Sequence, residues 1–416
     1  MKHPLGRRTL PALALTATAS LALAACGGGS GFDDTEGGGG SDGGAIEVLI
    51  GSSGEAETKA VEDAVAAWSA DSGVEATVTA AADLPQQLSQ GFASGDPADV
   101  FYLSTDALGG YVASGALYSY GDQVEGDFYP ALTDAFTVDD ELVCVPKDFS
   151  TLGLVINQTL WDQAGLTEAD VPTTWEQLTA VAQQLTTDGV VGLGISPEYQ
   201  RVGAFFPQAG GAMTNEDGTE ATVDSPENLE ALSFVQSMLD DGSAAYSSTL
   251  GAGWGGEAFG KQLAAMTIEG PWIAGAIAND FPDVQYTVAE LPEGPAGKGT
   301  LAFTNCWGIA EDSGSKEDAV DLVQYLTAAD QQLAFASAFG VIPSIESAAQ
   351  QYGEAEPELA PFVAGADYAQ NPPAQEGAAD VITDFNAQLE GLADGDPEQI
   401  LGSVQDTLQA ALDAAN

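Results

Sequence analysis

The 416-residue chain predicts an α/β fold built on a parallel sheet, and three observations carry the prediction. Short apolar runs alternate with segments of helical spacing from residue 46 onward. Helix start and stop signals fall between these segments rather than inside them. Apolar residues make up 44% of the chain, enough for a large core despite a formal charge of -54. This length predicts two or three domains.

In chain order, Ile46–Ile50 (IEVLI) is a short apolar run that reads as a strand. After it Ala60, Val61, Ala64, Val65 and Trp68 recur at helical spacing until Gly73 stops the helix. Val74, Ala76, Val78 and Ala80 alternate with polar residues, as a strand does. Asp83, with Pro85 and Gln86 behind it, caps a second helix whose Leu84, Leu88 and Phe92 share one face. Residues 99–103 (DVFYL) make the third strand, and the βαβαβ order implies parallel pairing.

A second set of elements starts near residue 150, with a buried strand over 152–156. Pro172-Thr173-Thr174-Trp175-Glu176 opens a helix with a capping box from Thr173 to Glu176 and an apolar stripe of Trp175, Leu178, Ala182 and Leu185. Another helix begins at Ser225-Pro226 and carries Leu229, Leu232, Val235 and Leu239 on one side. Ser315 and Asp318 cap the helix bearing Val320, Val323 and Leu326; Thr327 and Asp330 cap the next, which Gly340 ends. The tail over 379–415 is again helical.

Ahead of this body, residues 1–25 read as a signal peptide: Lys2, Arg7 and Arg8, then an apolar run over 10–25 and a small-residue cleavage site. That run is too short to span a bilayer as a mature helix. Leu23-Ala24-Ala25-Cys26-Gly27 resembles the lipobox of bacterial lipoproteins, which implies lipidation of Cys26 as the new N-terminus. Arg7-Arg8 leaves twin-arginine export open beside the general route. Residues 26–44 are then a lipidated cysteine and a flexible linker, with ten glycines in the eighteen positions from 27 to 44. As a coil the linker reaches about 23 Å, and it tethers the body to the extracellular face of the cytoplasmic membrane. With Cys26 lipidated, Cys144 and Cys306 remain in an oxidising compartment and pair by default, buried free thiols being the alternative. Such a disulfide contributes on the order of 5 kcal/mol in the chain-entropy model.

Charge and composition exclude several functions. Acidic residues number 63 against 9 basic ones, and Lys2, Arg7, Arg8 and the single histidine, His3, lie in the signal segment. Without a mature imidazole, a Ser/His/Asp triad, a Cys/His dyad and a histidine zinc site are excluded, and the expectation carries no catalytic residue, metal or cofactor. Nucleic acid is excluded for want of clustered Lys and Arg. Gly253-Trp254-Gly255-Gly256 lacks the lysine and the strand-to-helix context of a phosphate loop. A surface glycoside hydrolase stays formally open, since acid pairs arise by chance, but no strand-end acid pair among aromatic-rich loops is found. Only Arg201 and five lysines remain to hold an anion, so a charged ligand would be cationic, such as a polyamine. The acid excess reads as a solvated surface or as a saline or acidic habitat.

Several segments together resemble extracellular solute-binding proteins of the maltose-binding type, the capture subunits of ABC importers. They are Gly95-Asp96-Pro97-Ala98-Asp99-Val100-Phe101, then Asp106 and Gly109-Gly110-Tyr111; Asn157 before Trp161; Pro172 to Leu178; Met266 to Trp272 (MTIEGPW); Trp307-Gly308-Ile309-Ala310; and Gly340-Val341-Ile342-Pro343-Ser344. The resemblance implies a two-lobed periplasmic-binding-protein fold of type II, a hinge of crossing strands, a monomer, and a ligand cleft between the lobes that closes by hinge bending. Carried over, residues 45–149 plus 303–341 make the first lobe and 150–302 plus 342–416 the second. The disulfide would then brace the root of the hinge. The implied function is capture of a neutral sugar, mono- to short oligosaccharide, for an ABC permease; a polyol or polyamine is the alternative, and no enzyme activity is expected.

A sugar presents hydroxyls at its edge and C–H bonds on its face, so its site needs carboxylates or amides and aromatic rings. Trp272 matches the family's stacking ring and Asp106 a carboxylate that accepts hydroxyl protons. The alternatives are a core tryptophan for Trp272 and a helix N-cap for Asp106. Ser52 and Ser53 follow the first strand, where open α/β sheets bind ligand. Asp148 and Ser150 lie on the first crossover, Asn305 and Trp307 on the second, and Tyr199 and Arg201 match the region of a second aromatic. The family's C-terminal aromatic has no counterpart near Asn371-Pro372-Pro373, which favours a shorter or differently shaped sugar over a long maltodextrin.

Overall fold

Two main sheets organise the protein in a computed structural model that describes residues 44–215 and 217–415. The signal peptide, Cys26 and nearly all of the glycine linker therefore lie outside the described residues. The larger sheet runs in the order Ile342–Pro343, Val145–Thr151, Thr300–Ile309, Val100–Ser104, Ile46–Ile50, Ala76–Ala80, with Ala369–Gln370 added beside Thr300–Ile309. Ile46–Ile50 pairs in parallel with both Ala76–Ala80 and Val100–Ser104, as the alternation of helices and strands requires. Ala76–Ala80 takes the edge and leaves its polar positions in water. The helix Glu55–Ser72 stops at Gly73 with φ 79°, a left-handed conformation that suits glycine. Asp83 caps Leu84–Ser94, accepting from the Gln86 N–H at 3.0 Å.

The second sheet runs Tyr286–Ala289, Gly153–Asn157, Ala264–Glu269, Val191–Ile195, Ala244–Tyr246. The two sheets are joined by strands rather than loops. Val145–Thr151 of the first sheet ends one residue before Gly153–Asn157 of the second. Thr300–Ile309 runs antiparallel beside it, from Ala302 opposite Thr151 to Trp307 opposite Val145. At the first-sheet end of this pair Cys144 and Cys306 are bonded, both fully buried, with Cα atoms 5.8 Å apart. Each lobe packs its own core. Ile46, Val48, Trp68, Phe101 and Trp307 centre the first, and Leu154, Leu178, Phe205, Leu232 and Met266 the second.

Three expected caps fall differently. Thr174, not Thr173, caps Trp175–Leu185, accepting from the Gln177 N–H at 3.3 Å, while the Gln177 side chain accepts from the Thr173 N–H and hydroxyl. Thr173/Glu176 and Thr174/Gln177 have the same spacing, and a bridge to Glu293 holds Thr174 extended, so the helix starts one residue later. Ser315 makes no capping bond; its hydroxyl reaches the Gly44 carbonyl at 3.4 Å. Thr327 donates back to the Val323 carbonyl at 2.7 Å, closing the helix before it instead of opening the one after. The tail is two helices, Ala378–Leu389 and Pro397–Ala415, with the Gly391 and Gly395 region between them.

Candidate ligand-binding site

A cavity of about 590 Å³ opens at the carboxyl ends of Ile46–Ile50 and Val100–Ser104 and is shared by both lobes. Open α/β sheets place ligands there because strand ends deliver backbone and helix N-termini to one crevice. The crossing strands give it a floor through Asp148, Ser150, Phe303 and Asn305, and the second lobe adds Trp272, Gln200 and Asn386.

Trp272 is the one large apolar side chain left exposed among the described residues, at 38%. It opens the helix Trp272–Asp280, just after the strand Ala264–Glu269. Its indole N–H donates to Glu269 Oε2 at 3.0 Å, and the same oxygen accepts from Arg201 Nε and Nη2 at 3.1 and 2.8 Å. The Arg201 guanidinium lies 5.1 Å from the indole centroid. Gly270 makes the fold-back possible, because a Cβ there would meet the ring at 2.2 Å. Phe303 stands edge-on to the indole at 6.3 Å. Glu269 is fully buried, and burial pushes its carboxyl up against the opposing pull of Arg201.

Asp106 lies in the first turn of Thr105–Ala113, exposed on the opposite wall of the cavity. It has no hydrogen-bond or ion partner among the described residues and does not cap the helix, whose N-cap position is Ser104.

Below them Lys147 forms ion pairs with Asp148 and, at 3.5 Å, with Glu57, while its ammonium stands 4.3 Å over the Tyr102 ring. Neighbouring residues of a strand normally face opposite ways. Here Asn305 pairs with Asp148 and Cys306 with Pro146, so Lys147 is the extra residue of a bulge that brings it and Asp148 together. Glu57 Oε2 accepts from the Ser53 N–H and hydroxyl, both at 2.7 Å. Burial raises the Glu57 carboxyl, but Lys147 and the bonds from Ser53 and Tyr102 outweigh it and leave it below the usual range. For Asp148 burial wins over Lys147, and its carboxyl sits above that range.

Asp106, Trp272, Ser53, Asp148, Ser150 and Asn305 therefore come together on one cavity. Four other candidates do not line it. The Ser52 hydroxyl turns back to the Gly54 carbonyl at 2.6 Å. Tyr199 is buried between Phe206 and Phe385, so it belongs to the second core and its neighbour Gln200 reaches the cavity instead. Arg201 is occupied by Glu269, behind the indole. Trp307 is buried edge-on to Tyr102, 4.8 Å away, deeper in the first sheet than Asn305. Sequence reasoning missed Glu57, Lys147, Gln200, Phe303 and Asn386. Ser53 and Glu57 are four residues apart, one more than a capping box, so neither Glu57 nor Lys147, which depends on a bulge, is announced by a local pattern. Pro372, Pro373 and Ile382 form the wall that lacks an aromatic.

Residues 63–372 match the profile of the bacterial extracellular solute-binding proteins. The chain belongs to that family. A binding protein of Brucella abortus (strain 2308) is 28% identical over 334 residues, 76% of this chain and 80% of its own. An ABC transporter-binding protein of Deinococcus radiodurans is 29% identical over 229 residues, 49% of this chain and 51% of its own. Among solved structures, the cyclic α-maltosyl-1,6-maltose binding protein of Arthrobacter globiformis superposes with a TM-score of 0.79 at 23% identity, covering 89% of this chain and 100% of that one. The two-lobed α/β architecture is thus that of a solute-binding protein, a family of binders rather than enzymes.

Proposed function

We propose that the protein captures a neutral sugar in this cavity and delivers it to the permease of an ABC importer. One observation carries the reading: an exposed indole face and an unpartnered carboxylate, from different lobes, line the same cavity. The ring suits the apolar face of a sugar and the carboxylate its hydroxyls. The sugar named for the Arthrobacter structure supports the ligand class, and the transporter named for the Deinococcus relative supports the route. Ser53, Asp148, Ser150 and Asn305 are assigned as further polar contacts, and hinge bending between lobes 45–149 plus 303–341 and 150–302 plus 342–416 would close them on the ligand.

All six cations from Cys26 onward have a carboxylate partner within 4.0 Å, and Lys147 is the one cation on the cavity, paired twice. An anionic ligand would therefore meet no free positive charge, which is the physical ground for preferring neutral solutes. A thermal-shift panel of mono- and oligosaccharides, polyols and polyamines on the purified body tests the reading. A rise in melting temperature with sugars alone is expected; a rise with polyamines alone sinks it. The body is held at the membrane through lipid on Cys26, so Cys26→Ala should abolish lipid labelling and release the protein.

A further inference from the structure

A second cavity of about 340 Å³ lies beside the first, between the helices Leu84–Ser94 and Thr105–Ala113. The two cavities adjoin. On one side Asp106 lines both. On the other, a single segment borders the first cavity with Pro372 and Pro373 and the second with Glu376 and Gly377. We propose that they form one bent groove and that the ligand is an oligosaccharide, whose outer units leave the Trp272 platform, pass Asp106 and lie against Tyr111. The proposal rests on the sugar-binding reading and adds the length and path of the chain.

The chemistry of the second cavity repeats that of the first. It offers apolar ring surface from Tyr111 and Phe92, whose centroids are 5.1 Å apart, and polar groups from Ser89, Asp106 and Glu376. Both rings are half-buried rather than sealed in the core. Two adjacent glycines of the helix Thr105–Ala113 differ in what they are for. Gly109 is needed sterically, since a Cβ there would come within 3.0 Å of the Glu376 backbone nitrogen where that segment crosses the helix. Gly110 has no such reason: its φ is not positive and a Cβ there would meet nothing within 4 Å. A glycine inside a helix costs stability relative to alanine. Gly110 lines the second cavity, and a side chain there would fill it. An open groove accounts for the residue where packing does not.

The absence of an aromatic on the Pro372-Pro373 wall fits the same path. The chain of sugars would gain its second stacking surface from the first lobe rather than from the C-terminal segment.

The test is calorimetry of the full mature protein and its Gly110→Phe variant with α-1,4- and α-1,6-linked glucose oligomers of increasing length, from the monosaccharide up. For the wild type, affinity should rise by roughly tenfold from the two-unit to the four-unit probe, the gain of one further stacked surface. In Gly110→Phe that rise should vanish while the two-unit probe binds as before and the melting temperature of the empty protein holds. Equal wild-type affinity for one unit and for four, or a length dependence that survives Gly110→Phe, overturns the extended groove alone. No binding of any glucose oligomer to either protein overturns the groove as the path of such a chain, while the sugar reading itself stands or falls on the thermal-shift panel.

Discussion

Trp272 and Asp106 face the same cavity, but the protein prepares them in opposite ways. Trp272 is fixed on three sides before any ligand arrives: its N–H is tied to a buried carboxylate, a guanidinium backs its ring, and Gly270 lets it fold back. Asp106 is exposed and has no hydrogen-bond or ion partner among the described residues. The difference teaches a division of labour. The second lobe presents a platform that costs little entropy to use, since it is ordered already. On the proposed reading, the first lobe presents a charge whose hydrogen bonds to a ligand would strengthen when closure removes water from around it. Affinity should then depend on closure through Asp106 and on prior order through Trp272.

The largest effect should come from removing what holds the platform. Glu269→Ala leaves Arg201 largely buried beside a vanished partner, and breaking a buried pair costs about 3 to 5 kcal/mol, so the melting temperature should fall by many degrees. An unchanged melting temperature would show that the platform needs no anchor. Next, Asp106→Asn should weaken binding about ten- to a hundredfold, the loss of hydrogen bonds to a charged acceptor worth about 1.5 to 3 kcal/mol. Its melting temperature should stay as in wild type, because the carboxylate has no partner to lose; a large drop refutes that. Trp272→Ala should cost about tenfold in calorimetric affinity, roughly 1 to 2 kcal/mol of stacking. If it instead destabilises the empty protein as much as Glu269→Ala does, the indole is core and the comparison collapses.

The smallest effect concerns the cavity floor. Glu57 has its carboxyl held below the ordinary value of 4.5, so its contribution is complete above that value and is lost as pH falls through the lower, folded one. Asp148, with a raised carboxyl, acts in the opposite sense. Unfolding followed from pH 6 to pH 3 should therefore show a steeper loss for wild type than for Glu57→Gln. Parallel curves would mean that Lys147 and Asp148 stabilise the floor without Glu57.

Much of the fold and part of the site are legible in the amino-acid sequence. The βαβαβ start, the Gly73 stop and the Asp83 cap follow from spacing and from residues whose backbone preferences are local. The Trp272 and Asp106 positions follow from family motifs, since a turn such as Gly270-Pro271 is written in adjacent residues. The failures share a cause. Tyr199 and Gln200 are neighbours on one short helix, and only the packing of Phe206 and Phe385 decides which of them enters the core. Thr173 and Thr174 are equally good caps until Glu293 pairs with one of them.

The sequence by itself determined the class of the fold, the order of its elements, and the absence of any histidine beyond His3. These are properties of composition and of contacts within a few residues, where period and capping decide. Only the tertiary structure decided that Lys147 turns toward Asp148, that Arg201 backs the indole instead of lining the cavity, and that Asp106 lines two adjoining cavities. Each depends on residues tens to hundreds of positions apart meeting across a bulge, a fold-back or a close backbone approach, and no local pattern specifies which distant partner arrives.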